Sequence, residues 1–238
     1  MSECKYEAKR AIFVAAGFGS RMVPVTINTP KPLIRVHGQR IIDGLIDAVL
    51  AAGIEEIYIV RGYLKEQFDQ LLYKYPMIKF IDNDIYTEAN NISSALAVKD
   101  LLENAYVLEA DLCISNPSII TKYHDSSDFL AIPVDRTDDW CFETKDGVIT
   151  KECTESDHPC HQMVGISFWS KEDGRKLAED LKTAFDSEGG HQMYWEQVPL
   201  DMFKDKYSVR VRECKLSDIV EIDTFAELQA IDERYRIK

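Results

Sequence analysis

Long apolar runs are missing: nowhere do about 18 uncharged apolar residues follow one another, the length a bilayer-spanning helix requires. The opening segment Met1-Ser2-Glu3-Cys4-Lys5-Tyr6-Glu7 also lacks the apolar stretch of a secretory signal. A cytoplasmic protein with no membrane insertion is expected. Paired cysteines are missing as well. Cys4, Cys113, Cys141, Cys153, Cys160 and Cys214 are scattered without a CxxC, which suits reduced thiols rather than a disulfide framework. Cys153, His158, Cys160 and His161 include side chains able to bind zinc, but their spacing fits no finger pattern, so an exposed polar loop is expected there. Positive charge is scarce. The 28 Lys plus Arg stand against 41 Asp plus Glu, and a net charge of −13 repels nucleic-acid backbones and anionic membranes. Nucleic acid is therefore not an expected partner. Internal repeats and low-complexity linkers are also absent, and with 45% hydrophobic and 29% charged residues the 238-residue chain has the composition of one globular domain.

What is present is a regular alternation of elements. Ala11-Ile12-Phe13-Val14-Ala15-Ala16 is apolar on both faces, as a buried strand of a parallel sheet is. Between Gln39 and Ala52, the residues Ile41, Ile42, Leu45, Ile46, Val49 and Leu50 recur at helical spacing and Gly53 closes the run. Strands over 57–60, 78–81 and 106–108 alternate with helices over 64–72 and 91–102, which implies crossover connections and a parallel sheet. Beyond Asp111 the pattern changes to strands at 129–134, 141–150 (turning at Asp146-Gly147) and 164–169. Helices follow over 171–185 and 192–203, the second started or kinked by Pro199. Short strands at 207–212 and 219–222 precede a last helix through Ala230, capped by Asp223 or Thr224. The expected fold is a three-layer α/β domain with a mostly parallel sheet and a small mixed insertion in its second half.

The loop Gly17-Phe18-Gly19-Ser20-Arg21 follows the first strand, where open α/β sheets bind ligands. It is neither a dinucleotide fingerprint, which needs glycine where Met22 stands, nor a Walker A loop, which needs Gly-Lys-Ser/Thr. Its glycines still let backbone N–H groups turn toward a phosphate, and Arg21 and Lys31 supply cations, the latter stiffened by Pro30 and Pro32. Residues 9–42 carry six basic side chains (Lys9, Arg10, Arg21, Lys31, Arg35, Arg40) and no acid, which in so acidic a chain points to a bound polyanion.

The run Ala15-Ala16-Gly17-Phe18-Gly19-Ser20-Arg21, followed by Pro24, Thr26 and Thr29-Pro30-Lys31-Pro32-Leu33, resembles the signature of the nucleotidyltransferase family that includes sugar-nucleotide pyrophosphorylases. Several later segments are similar to one branch, the bacterial CTP:phosphocholine cytidylyltransferases: Gly62 to Phe68, Asn90-Asn91, Glu109-Ala110-Asp111, Asp139-Trp140, Tyr194-Trp195 and Glu221-Ile222-Asp223. The resemblance runs from about Ala11 to Ala230. It implies a Rossmann-like nucleotidyltransferase fold in a single domain over 1–238. About 11–110 would form the nucleotide-binding half and about 111–230 the acceptor-binding half.

The implied reaction is Mg²⁺-dependent transfer of CMP from CTP to phosphocholine, giving CDP-choline and pyrophosphate. By resemblance, Lys31 contacts the α-phosphate region, and Arg21 with the amides of Gly17, Gly19 and Ser20 holds the departing phosphates. Asp111 and Asp223 carry over as metal ligands. Base contacts fall to the backbone at Ala15 and Ala16 and to Asn91 or Ser93. A quaternary ammonium donates no hydrogen bond, so aromatic faces and carboxylates must hold it. Trp140, Tyr194 and Trp195, with Glu196 or Asp139, are the candidates for the acceptor. Three alternatives stay open: 2-aminoethylphosphonate as acceptor, a sugar 1-phosphate as acceptor, or a non-catalytic nucleotide-binding regulator. A homodimer is one open arrangement of the chain.

Overall fold

The structure, a computed structural model, describes residues 5–236. Its first half alternates as the hydrophobic pattern requires: β1 (Arg10–Ala15), α1 (Ile41–Ala51), β2 (Glu56–Arg61), β3 (Lys79–Asp82), α2 (Ile92–Ala97) and β4 (Ala105–Glu109). β1 pairs in parallel with both β2 and β4, and β3 extends the sheet beyond β2. The second half adds β5 (Asp128–Val134), β6 (Cys141–Lys145), β7 (Val148–Cys153), β8 (Cys160–Trp169), α3 (Lys171–Phe185), β9 (Arg210–Glu213) and α4 (Phe225–Ile231). These nine strands form one sheet in the order β5-β9-β7-β6-β8-β4-β1-β2-β3, and an added β5–β8 pairing curls the second half back on itself. The change from parallel to antiparallel falls between β4 and β8.

Helices cover both faces, so β1 is buried on both sides. The side chains of Leu45, Ile46 and Val49 from α1 pack on one face with Phe13, Leu108 and Phe168. On the other face Leu177, Leu181 and Ala184 of α3 meet Val107, Phe129 and Trp169. Burial of this kind, at roughly 25 cal/mol per Å² of apolar surface, is the main source of stability.

Four local expectations change. The stretch expected as a helix over 64–72 is a 3₁₀ helix, Lys65–Tyr73, entered through Leu64 in a left-handed conformation. The helix expected over 91–102 splits into α2 and a 3₁₀ turn, Lys99–Leu101. The helix expected over 192–203 does not form. Only a five-residue π turn, Val198–Met202, occurs there, and Pro199 at its start has no N–H to extend the ladder. The Cys153-to-His161 segment is also less loop-like than expected, because Cys153 ends β7 and Cys160 and His161 begin β8.

Gly174 sets how closely α3 approaches the turn that precedes β4: a Cβ there would lie 2.2 Å from the Leu102 carbonyl oxygen. Gly174→Ala should lower unfolding free energy by about 3 kcal/mol, since overpacking against backbone outweighs the gain in helix propensity. Gly17→Ala, with nothing within 4 Å of its added Cβ, should stay within about 0.5 kcal/mol of the parent. Urea denaturation of the two variants checks the contrast.

Candidate active site

The loop after β1 is folded tightly around its lysine. Gly19 takes a left-handed conformation (φ 67°), and its carbonyl accepts from Thr26 Oγ1 at 2.9 Å. A Cβ on Gly19 would come 3.2 Å from both Lys31 Cβ and Thr26 Cγ2, so this close approach favours glycine. Tyr63 Oη braces the loop from β2's side, donating to the Thr26 and Ile27 carbonyls at 2.9 and 2.8 Å. A short turn, Lys31–Leu33, then directs Lys31 inward, where the residue is only 7% exposed.

Lys31 Nζ donates to Asp111 Oδ2 at 2.6 Å and to Asp223 Oδ1 at 3.0 Å. Asp111 follows the end of β4. Asp223 reaches it because Leu112–Ile114 and Ile219–Glu221 pair antiparallel, Leu112 opposite Glu221, and Ile222 N–H donates to the Asp111 carbonyl at 3.3 Å. Helix capping falls to the neighbouring residue. Thr224 accepts from Glu227 N–H at 3.2 Å while Glu227 Oε2 accepts from the N–H groups of Asp223 and Thr224, both at 2.8 Å. The Asp223 carboxylate is thereby free to pair with Lys31 and with Arg21.

Two cavities open from this centre. One, of about 360 Å³, is lined by Ala15, Ala16, Gly17, Gly19 and Ser20 on one side and by Asn91 and Ser93 on another. The second, of about 850 Å³, is walled by Trp140, Tyr194 and Glu196. Ser20, Arg21, Glu109, Glu221 and Asp223 line both, so the cavities meet at the Lys31 cluster. Asn91 starts α2 without using its side chain as a cap. Instead it links the two walls, donating to Glu196 Oε2 at 3.3 Å and accepting from Trp195 N–H at 2.8 Å. Ser93 lines the first cavity with its hydroxyl already committed to Asn83 Nδ2 and the Asn90 carbonyl.

Trp140 and Tyr194 face one another with ring centroids 5.4 Å apart at 60°. Trp195 does not join them and must be corrected from an acceptor contact to a core residue. It is 3% exposed, stacked on Phe129 and edge-on to Trp169, because successive side chains diverge at this turn. The acid-free segment is corrected as well. Of its six cations only Arg21 and Lys31 line the cavities; Arg10 pairs with Glu56, Arg40 with Asp43, and Arg35 bonds the Gly38 carbonyl.

The sequence profile of the nucleotidyl transferase family matches residues 10–137 of this chain. The chain belongs to that family. A 2-aminoethylphosphonate cytidylyltransferase from Lancefieldella rimae is 36% identical over 96% of this chain and 94% of its own length. A choline-phosphate cytidylyltransferase from Streptococcus pneumoniae is 32% identical over 94% of this chain and 97% of its own. The solved structure of CTP:phosphocholine cytidylyltransferase from Streptococcus pneumoniae superposes with a TM-score of 0.87 at 30% identity, covering 95% of this chain and 99% of the other. The α/β nucleotidyltransferase fold is thus established, and the chain-length relatives are bacterial cytidylyltransferases.

The electrostatics of this nucleotidyltransferase centre are strongly asymmetric. Burial pulls the Lys31 ammonium down, but Asp111 and Asp223 outweigh it and hold its pKa above the ordinary lysine value. Burial, aided by Asp111 and Glu196, drives Glu109 well above the carboxylate range. Burial and then Asp111 push Glu221 up to about 8, while burial pushes Glu152 up to about 8 and Glu196 to about 7. Oxygens of Glu109, Asp111 and Glu221 lie within 4.8 Å of one another, an arrangement that suits a cation.

Glu109, Glu152 and Glu221 were not singled out from sequence, nor were Asn83 and Tyr86, which line the smaller cavity. A signal existed for two of them. Glu109-x-Asp111 and Glu221-x-Asp223 have the two-residue spacing that puts both carboxylates on one face of an extended chain. Gly165, where a Cβ would sit 2.5 Å from Glu109 Oε2, makes the room for that glutamate.

Raised carboxyl pKa values have a sign in stability. Below the ordinary value of 4.5 both folded and unfolded chains are protonated. As pH climbs through 5 toward about 8 the unfolded chain ionises while Glu152, Glu196 and Glu221 stay protonated in the fold, so stability declines across that window. Melting temperature of the ligand-free protein should therefore fall between pH 5.5 and 8.5. A flat or rising Tm would mean these carboxyls are already ionised in the fold.

Proposed function

We propose that this enzyme transfers CMP from CTP to phosphocholine, giving CDP-choline and pyrophosphate, with Mg²⁺ as its metal. The observation that carries the proposal is the Trp140–Tyr194 pair in a cavity that opens on the Lys31–Asp111–Asp223 cluster. Paired aromatic faces attract a quaternary ammonium through the ring quadrupole, and the carboxyl groups of Glu196 and Asp139 line the same cavity. The streptococcal relatives support the choice of nucleotide and acceptor. We place the nucleotide on residues 11–110 and the acceptor on residues 111–230 of one domain, in the cytoplasm.

The residues present fit a hard cation. Asp111 Oδ1 is buried and has no hydrogen-bond partner, and Asp223 stands beside it on Lys31. Asp111 and Asp223 would hold Mg²⁺, which when bound neutralises phosphate charge and orients the α-phosphate. Lys31 keeps one N–H of its ammonium after bonding the two aspartates and offers it to the same phosphate. Arg21, with a side chain 70% exposed, and the amides of Gly17, Gly19 and Ser20 face the β and γ phosphates that leave. An acceptor phosphate oxygen attacks the α-phosphorus; the new O–P bond forms as the bond to the β-phosphate oxygen breaks, and pyrophosphate departs. Since a phosphate monoester has a second pKa of about 6, the attacking oxygen is ionised near neutrality and no general base is required.

A second acceptor, 2-aminoethylphosphonate, keeps the same chemistry. Four carboxyl groups lining the acceptor cavity, Glu109, Glu152, Glu196 and Glu221, favour it, because a primary ammonium donates hydrogen bonds to them. The relative from Lancefieldella rimae supports it as well.

Pyrophosphate release from CTP and Mg²⁺, compared among phosphocholine, 2-aminoethylphosphonate and a sugar 1-phosphate, tests the reading. Phosphocholine should lead, and release only with the sugar phosphate would refute both acceptors. Asp111→Asn should cut turnover by roughly a hundredfold or more with the fold intact; normal rates would remove Asp111 from the metal site. Trp140→Ala should raise the acceptor KM by about tenfold and that of CTP by much less. Equal rises would assign Trp140 to packing.

A further inference from the structure

Among the described residues, three buried side-chain oxygens have no hydrogen-bond partner: Asn104 Oδ1, Asp111 Oδ1 and Glu152 Oε1. Asn104 lies outside both cavities, Asp111 belongs to the reaction centre, and Glu152 lines the acceptor cavity. Glu152 stands on β7 directly opposite the fully buried Phe142 of β6. That register turns a carboxyl into the protein against an aromatic core position. The neighbouring titratable groups that act on it are two more carboxyls, Glu196 and Asp201. Among the described residues no lysine, arginine or histidine nitrogen lies within 4.0 Å of it. Its neighbour Glu196 is in a different position, because Asn91 donates to one of its oxygens.

A buried acceptor oxygen with no donor destabilises a protein, and relief has to come from something that enters the cavity. The aromatic pair holds an ammonium without requiring an N–H from it, so it accepts the fully methylated group. A carboxyl oxygen does discriminate. It gains a charge-assisted hydrogen bond from an ammonium that carries N–H and stays unpaired against one that carries only methyl groups.

We propose that Glu152 is a specificity-determining residue of the acceptor site: its unpartnered Oε1 accepts an N–H from the acceptor's ammonium and so shifts the ratio toward acceptors bearing N–H and away from fully methylated ones, whichever of them leads. The inference rests on the reading of this cavity as the acceptor site. It applies whichever acceptor leads in the parent enzyme, because it concerns the ratio between them.

The test uses one series of acceptors differing only in methylation at nitrogen: phosphoethanolamine, its N-methyl and N,N-dimethyl derivatives, and phosphocholine. Each is measured for pyrophosphate release with CTP and for binding by calorimetry, in the parent protein and in Glu152→Leu and Glu152→Gln. Glu152→Leu should raise the ratio of phosphocholine to phosphoethanolamine, in kcat/KM and in affinity alike, by at least tenfold. Glu152→Gln, which keeps a neutral acceptor oxygen, should shift it in the same direction by less. The largest step along the series should fall where the last N–H is lost. A ratio that moves less than threefold in both variants overturns the proposal, as does an equal loss for every acceptor, which is what a structural role or a general field effect produces. If Glu152→Leu does not fold, Glu152→Gln alone carries the test. Acceptor binding without pyrophosphate release would refute the transferase reading while the binding ratios still judge Glu152; no binding of any acceptor would refute both.

Discussion

Lys31, buried between Asp111 and Asp223, is the interaction on which the rest of the site depends. Its partners lie 80 and 192 residues away in sequence, so the contact exists only when the loop after β1, the end of β4 and the C-terminal ladder have come together. Each group needs the others. A buried ammonium is costly to desolvate without its carboxylates, and two carboxylates this close repel without the ammonium. The ion cluster is therefore a tertiary clasp as well as the candidate reaction centre. The capping box at Thr224 and the pairing of Leu112–Ile114 with Ile219–Glu221 keep Asp223 aimed at it.

Around that cluster the molecule sorts charge by direction. Arg21, Lys31 and the loop amides gather positive potential at the nucleotide end, although the chain as a whole carries a net charge of −13. The acceptor cavity carries Glu109, Glu152, Glu196 and Glu221 instead. On the proposed reading, a zwitterionic acceptor in this gradient would turn its phosphate toward Lys31 and its ammonium toward the carboxyl groups. Orientation of that kind lowers the entropic part of the barrier before any bond changes.

The segment 190–203 shows where local pattern fails. The sequence suggests a helix over 192–203, yet Tyr194 N–H bonds Gln197 Oε1, Trp195 N–H bonds Asn91, and Pro199 has no N–H to give. With the backbone donors of Tyr194 and Trp195 spent on side chains, the chain turns irregularly and sends Tyr194 to the cavity and Trp195 to the core. Neighbouring aromatic residues thus acquire opposite roles that no periodicity distinguishes. The acid-free stretch 9–42 misleads for a similar reason, since Arg10 and Arg40 find carboxylates, at Glu56 and Asp43, that lie outside it.

What the sequence alone determined is what neighbours within a few residues encode. β1 and its glycine loop, the span of α3 from Lys171 to Phe185, and the Asp146-Gly147 turn were legible because hydrophobic period, caps and turn residues act locally. Lys31 and Asp111 were legible because a long motif and a strand end marked them. Tertiary structure decided the rest. Whether Asp223 caps α4 or meets Lys31 depends on a ladder with a distant strand, and whether Glu152 faces solvent or the cavity depends on its register against β6. Those outcomes rest on burial and pairing between segments far apart in the chain, which no local spacing specifies.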